Sequence, residues 1–138
     1  MIILDTNVLS ALMYESPDKN VVAWLDRQPR SSVWITSVTV LEVRFGLQTL
    51  AVGKRRVSLI HAFEVAMERI GQRIIGFDAE AATHAGDLMA SRKKKGRPVD
   101  LRDTMIAGIV LAQRAALATR NTAHFADAGI SIVNPWVA

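Results

Sequence analysis

Three acids stand where a carboxylate can do chemistry. Asp5 directly follows the apolar run Met1-Ile2-Ile3-Leu4, Glu42 follows the segment Ser32-Val33-Trp34-Ile35-Thr36, and Asp103 opens a long apolar stretch that begins at Leu101. If the fold gathers them, mutual repulsion raises their pKa values and costs stability until a cation neutralises them. The chain has no cysteine and no His-x-x-x-His spacing, so an ion must be held by oxygen ligands. That points to Mg²⁺ or Mn²⁺, bound through a few carboxylates and completed by water and a substrate phosphate. The chemistry expected of such a centre is activation of water for in-line attack on a phosphodiester.

The elements that must position these acids follow from the pattern around them. Residues 1–4 lack polar alternation, as expected of a central parallel strand covered by helices on both faces, and in open sheets of that kind ligands sit outside the carboxyl ends of the strands. Asp5 has a second reading as a helix cap, since Asp5, Thr6 and Asn7 all suit the start of a helix running from Val8 to Met13. A helix follows from Pro17 or Asp18 through Leu25, and Ser32 to Thr36 reads as a second strand. Ser37 and Thr39 can cap a helix from Val40 to Leu50, which puts Glu42 on its first turn among apolar Val40, Leu41, Val43 and Phe45. A charge hemmed in this way needs a partner. Beyond a basic break at Gly53 to Arg56, Val57 to Ile70 is an amphipathic helix, and Ile74 to Phe77 is a short strand. Asp78 caps an alanine-rich helix from Ala79 to Ser91, Arg92 to Pro98 is a basic loop, and Leu101 to Leu117 is a strongly apolar helix. Strands at Ala116 to Thr119 and Ile130 to Val133 complete the alternation. Asp100 and Asp103 share a helix face, and the same spacing describes a cap followed by an acid at the third position. Asp103 lies on the inward side set by Ile106, Ala107, Val110 and Leu111, which favours it as the functional acid and Asp100 as cap or support, although the order can be reversed.

Composition bounds the answer. At 138 residues the chain is one domain, half of it is hydrophobic and only 22% is charged, so a packed globule is expected. Its apolar runs are too short to span a bilayer and no signal peptide is expected, so the cytoplasm is the expected compartment. The formal charge of +4 favours polyanionic partners. His61, His84 and His124 read as structural or exposed, and Trp24, Trp34 and Trp136 as packing residues. The basic clusters Lys54 to Arg56 and Arg92 to Arg97 are equally well solvated loops or sources of phosphate attraction. Alternating strands and helices predict an α/β domain with a mainly parallel sheet of four or five strands.

As a set the residues resemble the PIN-domain ribonucleases, specifically the toxins of VapBC-type toxin–antitoxin pairs in the FitB-like branch. The resemblance rests on Leu4-Asp5-Thr6-Asn7, on the run Thr36 to Gly46 that contains Glu42, and on Asp103-Thr104-Met105-Ile106-Ala107-Gly108. Thr119-Arg120-Asn121-Thr122 with Phe125, and Asn134-Pro135-Trp136, complete it. It implies a three-layer α/β/α sandwich with the acids in a groove at one sheet edge. It further implies that Asp5, Glu42 and Asp103 hold Mg²⁺ or Mn²⁺ and the attacking water, that Thr6 and Asn7 orient the first acid, and that Thr119 lies beside the groove. Asn121 departs from the pattern, since many relatives have Asp there as a fourth acid; the site charge falls by one and Asp100 is the residue placed to compensate. An RNA substrate, a homodimer and a small VapB-like antitoxin that blocks the groove are also implied. Two other readings have different signatures. An aspartyl-phosphate phosphatase needs a second Asp two residues after the first, which Asn7 is not. An RNA- or partner-binding module with weak or no catalysis is the reading that Asn121 favours.

Overall fold

The computed structural model describes residues 1–138. Strand β1 (Ile2–Leu4) sits at the centre of a five-stranded sheet, flanked on one side by β2 (Val33–Thr36) and then β3 (Ile74–Ile75), and on the other by β4 (Ala116–Ala118) and then β5 (Ser131–Val133). Every pairing is parallel: Ile2 lies opposite both Val33 and Ala116, and Ala118 lies opposite Val133. The helices are α1 (Thr6–Leu12), α2 (Lys19–Asp26), α3 (Ser37–Thr49), α4 (Lys54–Ile70), α5 (Ala79–Lys94) and α6 (Leu101–Gln113). None is long and apolar enough to cross a membrane.

The lack of alternation in β1 has a direct counterpart in packing. Leu4 joins a core with Val8, Val21, Trp24, Ile35, Leu47 and Phe63 on the side of α1 to α4. Its neighbour Ile3 joins a second core with Leu88, Ile106, Ile109, Leu117 and Phe125 on the side of α5 and α6. Successive strand residues point to opposite faces, so one apolar dipeptide serves two cores and the domain is the expected three-layer α/β/α sandwich. The strand order runs outward from β1 in both directions, which puts the crevice between β1 and β4 at the point where a doubly wound sheet receives its ligand.

Several boundaries differ from expectation. Helix α3 begins at Ser37, because Thr36 rather than Ser37 or Thr39 is the cap, its hydroxyl accepting the Thr39 amide at 3.1 Å. Glu42 is therefore on the second turn, and two of the apolar residues around it, Leu41 and Phe45, face solvent with 58% and 62% exposure. Helix α4 starts at Lys54, inside the expected break. Helix α5 runs on to Lys94, so Arg92 is not part of a solvated loop but is buried. Helix α6 stops at Gln113 instead of Leu117, since Arg114 adopts the left-handed conformation (φ 51°) and the amides of Arg114 and Ala115 close on the carbonyls of Leu111 and Val110. No glycine announces that stop.

The alanines of α5 let α6 approach closely. A methyl group added at Gly108 would lie 2.4 Å from the Ala81 carbonyl oxygen and 2.9 Å from the Ala85 methyl carbon. Backbone cannot give way there, so Gly108→Ala is expected to destabilise the fold by about 1–3 kcal/mol through overpacking, read as a lowered urea midpoint. An unchanged midpoint would show that the two helices part freely.

Candidate active site

Asp5 leaves β1 at its carboxyl end and caps α1, and both of its roles from the sequence meet in one side chain. Oδ1 accepts the Thr6 amide at 2.8 Å, the capping bond. Oδ2 accepts the Thr119 hydroxyl at 2.8 Å and the Asn7 amide nitrogen at 3.2 Å. Thr119 reaches it because β4 pairs with β1 and the Asp5 amide donates to the Ala118 carbonyl at 2.9 Å. Asn7 also ties the neighbouring strand end, its Oδ1 accepting the Arg120 amide at 3.2 Å.

Glu42 is joined to the same support. The Thr6 hydroxyl donates to Glu42 Oε1 at 2.7 Å and lies 3.0 Å from the hydroxyl of Thr39, which is fully buried. The other oxygen, Oε2, is 3.6 Å from Arg102 Nε. Asp103 stands on the first turn of α6, while the exposed Asp100 caps that helix by accepting the Asp103 amide at 3.0 Å. Asp103 Oδ2 lies 3.0 Å from Nδ1 of His124. Asn121 is exposed; its amide donates to the Thr119 hydroxyl at 3.0 Å, and its side chain bonds to none of the acids.

Four contributors escape a sequence reading. Thr39 looked like a helix cap and is instead a link to Thr6. Arg102 and His124 each cover one acid. Arg92 holds His124 in place by donating to its carbonyl at 2.8 Å, while pairing with Asp127 through two bonds of 2.9 Å and donating to Thr104 at 3.0 Å. Only His124 carried a signal, its place five residues beyond Thr119; the others depend on contacts between residues far apart in the chain.

Burial, followed by the charges of Asp103 and Glu42, pushes the Asp5 carboxyl up to about 6, against the lowering effect of its bonds from Thr119 and Thr6. The folded protein therefore binds a proton more readily than the unfolded chain. Its ion-free stability falls as pH rises from about 4 to about 6, by about 3 kcal/mol if this group acts alone. Denaturation in EDTA across that range is the measurement, and a flat profile for Asp5→Asn is the control. The carboxyl of Asp127 moves the other way, held down by its hydrogen bond from Arg92. Its contribution is present above the ordinary carboxylate pKa and is lost only as the pH falls below it.

The donor set suits a hard divalent cation, being carboxylate oxygen throughout with one buried carboxylate that is costly to ionise. No three acidic or histidine side chains close on a single point, because Glu42 is turned toward Arg102 and Asp103 toward His124.

Comparison with known proteins bears on this arrangement. The family model described as PIN domain matches residues 2–130. The VapC ribonuclease Y4jK of Sinorhizobium fredii is 39% identical over 99% of this chain and 98% of its own length. Toxin FitB of Neisseria gonorrhoeae is 33% identical over 99% of both. The crystal structure of FitAcB from Neisseria gonorrhoeae superposes with a TM-score of 0.90 at 32% identity, covering 100% of each chain. The matched residues 2–130 include the positions of Asp5, Glu42 and Asp103, and the chain belongs to the PIN domain family.

Proposed function

We propose that this protein is a metal-dependent endoribonuclease that hydrolyses RNA phosphodiester bonds and serves as the toxin of a toxin–antitoxin pair in the cytoplasm. The observation that carries the reading is a carboxylate buried at the switch point of the sheet, Asp5, pushed up to about 6 by burial and by the nearby charges of Asp103 and Glu42. Asp5, Glu42 and Asp103 are the residues that would hold Mg²⁺ or Mn²⁺. Such an ion, when bound, acidifies water and polarises the phosphoryl oxygen. Thr119, Asn7 and Thr6 keep the Asp5 carboxylate aimed, and Thr6 aligns Glu42 with it. Arg102 lies beside Glu42 and His124 beside Asp103, contacts that a bound ion would replace.

The relatives named as a ribonuclease and as a toxin support the activity and the setting. A partner is consistent with the surface: Leu41, Phe45 and Tyr14 are exposed, and a groove between α1, α3 and α4 is lined by Met13, Leu47, Leu50 and Leu59. A small VapB-like antitoxin would lay an apolar segment there, and pairing of two toxin copies would cover more of the exposed apolar residues. The test is cleavage of single-stranded RNA by the purified protein with Mg²⁺ or Mn²⁺, after EDTA, and after the ion is restored. Cleavage that survives EDTA overturns the metal dependence. RNA that is bound but never cut with any ion overturns the enzyme in favour of a binding module.

A further inference from the structure

An acidic pocket repels the polyanion it is meant to cut, so cations beside the acids must bring the strand in. Three arginines near this pocket are already committed. Arg92 and Arg97 reach Asp127 at 2.9 Å and 3.4 Å, and Arg102 reaches Glu42 at 3.6 Å. Arg120 differs. It is exposed, has no carboxylate partner, and donates no side-chain hydrogen bond within the protein. Its backbone is nevertheless fixed at the pocket, because its amide donates at 3.2 Å to Asn7, the residue that touches Asp5.

Its guanidinium lies over the ring of Trp136, the carbon 4.9 Å from the ring centroid. Trp136 is itself held at both ends: its amide donates to Asn134 Oδ1 at 3.0 Å, and its carbonyl accepts from Asn20 at the start of α2, also at 3.0 Å. An arginine stacked on an aromatic face loses its freedom to sweep through solvent, while its in-plane N–H groups stay available to a forked acceptor. A phosphate is such an acceptor. We propose that Arg120, laid on Trp136, is a phosphate-binding residue that positions the RNA backbone beside the acids, an inference that rests on the ribonuclease reading above. It belongs to binding, since it touches none of the three acids.

The test uses the inactive Asp5→Asn protein and a short, labelled single-stranded RNA, with binding followed by fluorescence anisotropy over a series of salt concentrations. Adding Arg120→Ala is expected to weaken binding about tenfold and to lower the salt slope by about 0.7, the value for one phosphate contact on a single strand. Arg120→Lys keeps the charge and the slope but not the stacked fork, so it recovers only part of the affinity. Trp136→Phe, which preserves packing, weakens binding with the slope unchanged. In the active protein Arg120→Ala raises KM and leaves kcat nearly unaltered. Unchanged affinity and slope in Arg120→Ala, with wild-type protein binding and cutting the same RNA, overturns the assignment alone. Failure of the wild type to bind RNA at all overturns the assignment and the ribonuclease reading together.

Discussion

Asp5→Asn is expected to lower kcat/KM for RNA cleavage by about a thousandfold or more, the range seen when a charge that organises a reacting centre is removed. The substitution is nearly isosteric, and an amide can still accept the Thr6 amide that caps α1. What disappears is the negative charge at the position shared with Thr119 and Asn7. Because the native carboxylate is buried beside two other acids, the same change relieves repulsion, and without ions at neutral pH the variant is expected to be more stable than the parent. A loss of activity therefore arrives with a gain in melting temperature, which separates a chemical role from a structural one. Activity within tenfold of the parent would sink the assignment of Asp5 as a metal ligand. A fall in stability would instead mean that the hydrogen bonds the second carboxylate oxygen accepts from Thr119 and Asn7 outweigh the repulsion.

The second large effect lies at Arg92, which is 4% exposed. Removing one partner of a buried ion pair leaves the other charged and poorly solvated, and costs about 3–5 kcal/mol. Arg92→Met removes the two bonds to Asp127, the bond to Thr104 and the donor to the His124 carbonyl together. Unfolding in urea is expected to show a loss of that size, and Arg92→Lys recovers little of it because an ammonium cannot make the forked contact. Adding Asp127→Asn to Arg92→Met is expected to restore part of the stability, since it removes a charge left with only the more exposed Arg97 as partner. A loss below about 1 kcal/mol for Arg92→Met would show that water reaches Asp127 and solvates it. Activity also falls, because the turn that carries His124 to Asp103 loses its anchor.

The parts of the site that could be read in the chain are those written locally. An apolar run broken by a carboxylate placed Asp5 at a strand end, and the periodic face of α6 placed Asp103 inward of Asp100. Glu42 reached its place by a weaker route. The apolar neighbours that suggested burial include the exposed Leu41 and Phe45, and the real constraint is its bond from Thr6, 36 residues away in the chain. Arg92 shows the limit more sharply. Among six other basic or small residues it reads as solvent-facing, yet its partner Asp127 lies 35 residues on, and no local pattern connects them. The end of α6 was missed for a different reason, since Arg114 takes a left-handed conformation usually given to glycine or asparagine.

The bond from Thr119 to Asp5 joins residues 114 positions apart, and the pairing of β1 with β4 on which it depends is just as distant in the chain. Contacts of such separation form late and slowly. During synthesis, then, the first strand and its acid emerge long before the strand that aims the carboxylate, and the growing chain carries no assembled scissors past the ribosome and the messenger it is translated from. A nuclease whose working centre joins residues so far apart stays harmless until β4 has emerged and docked, which gives a separately made inhibitor time to be present.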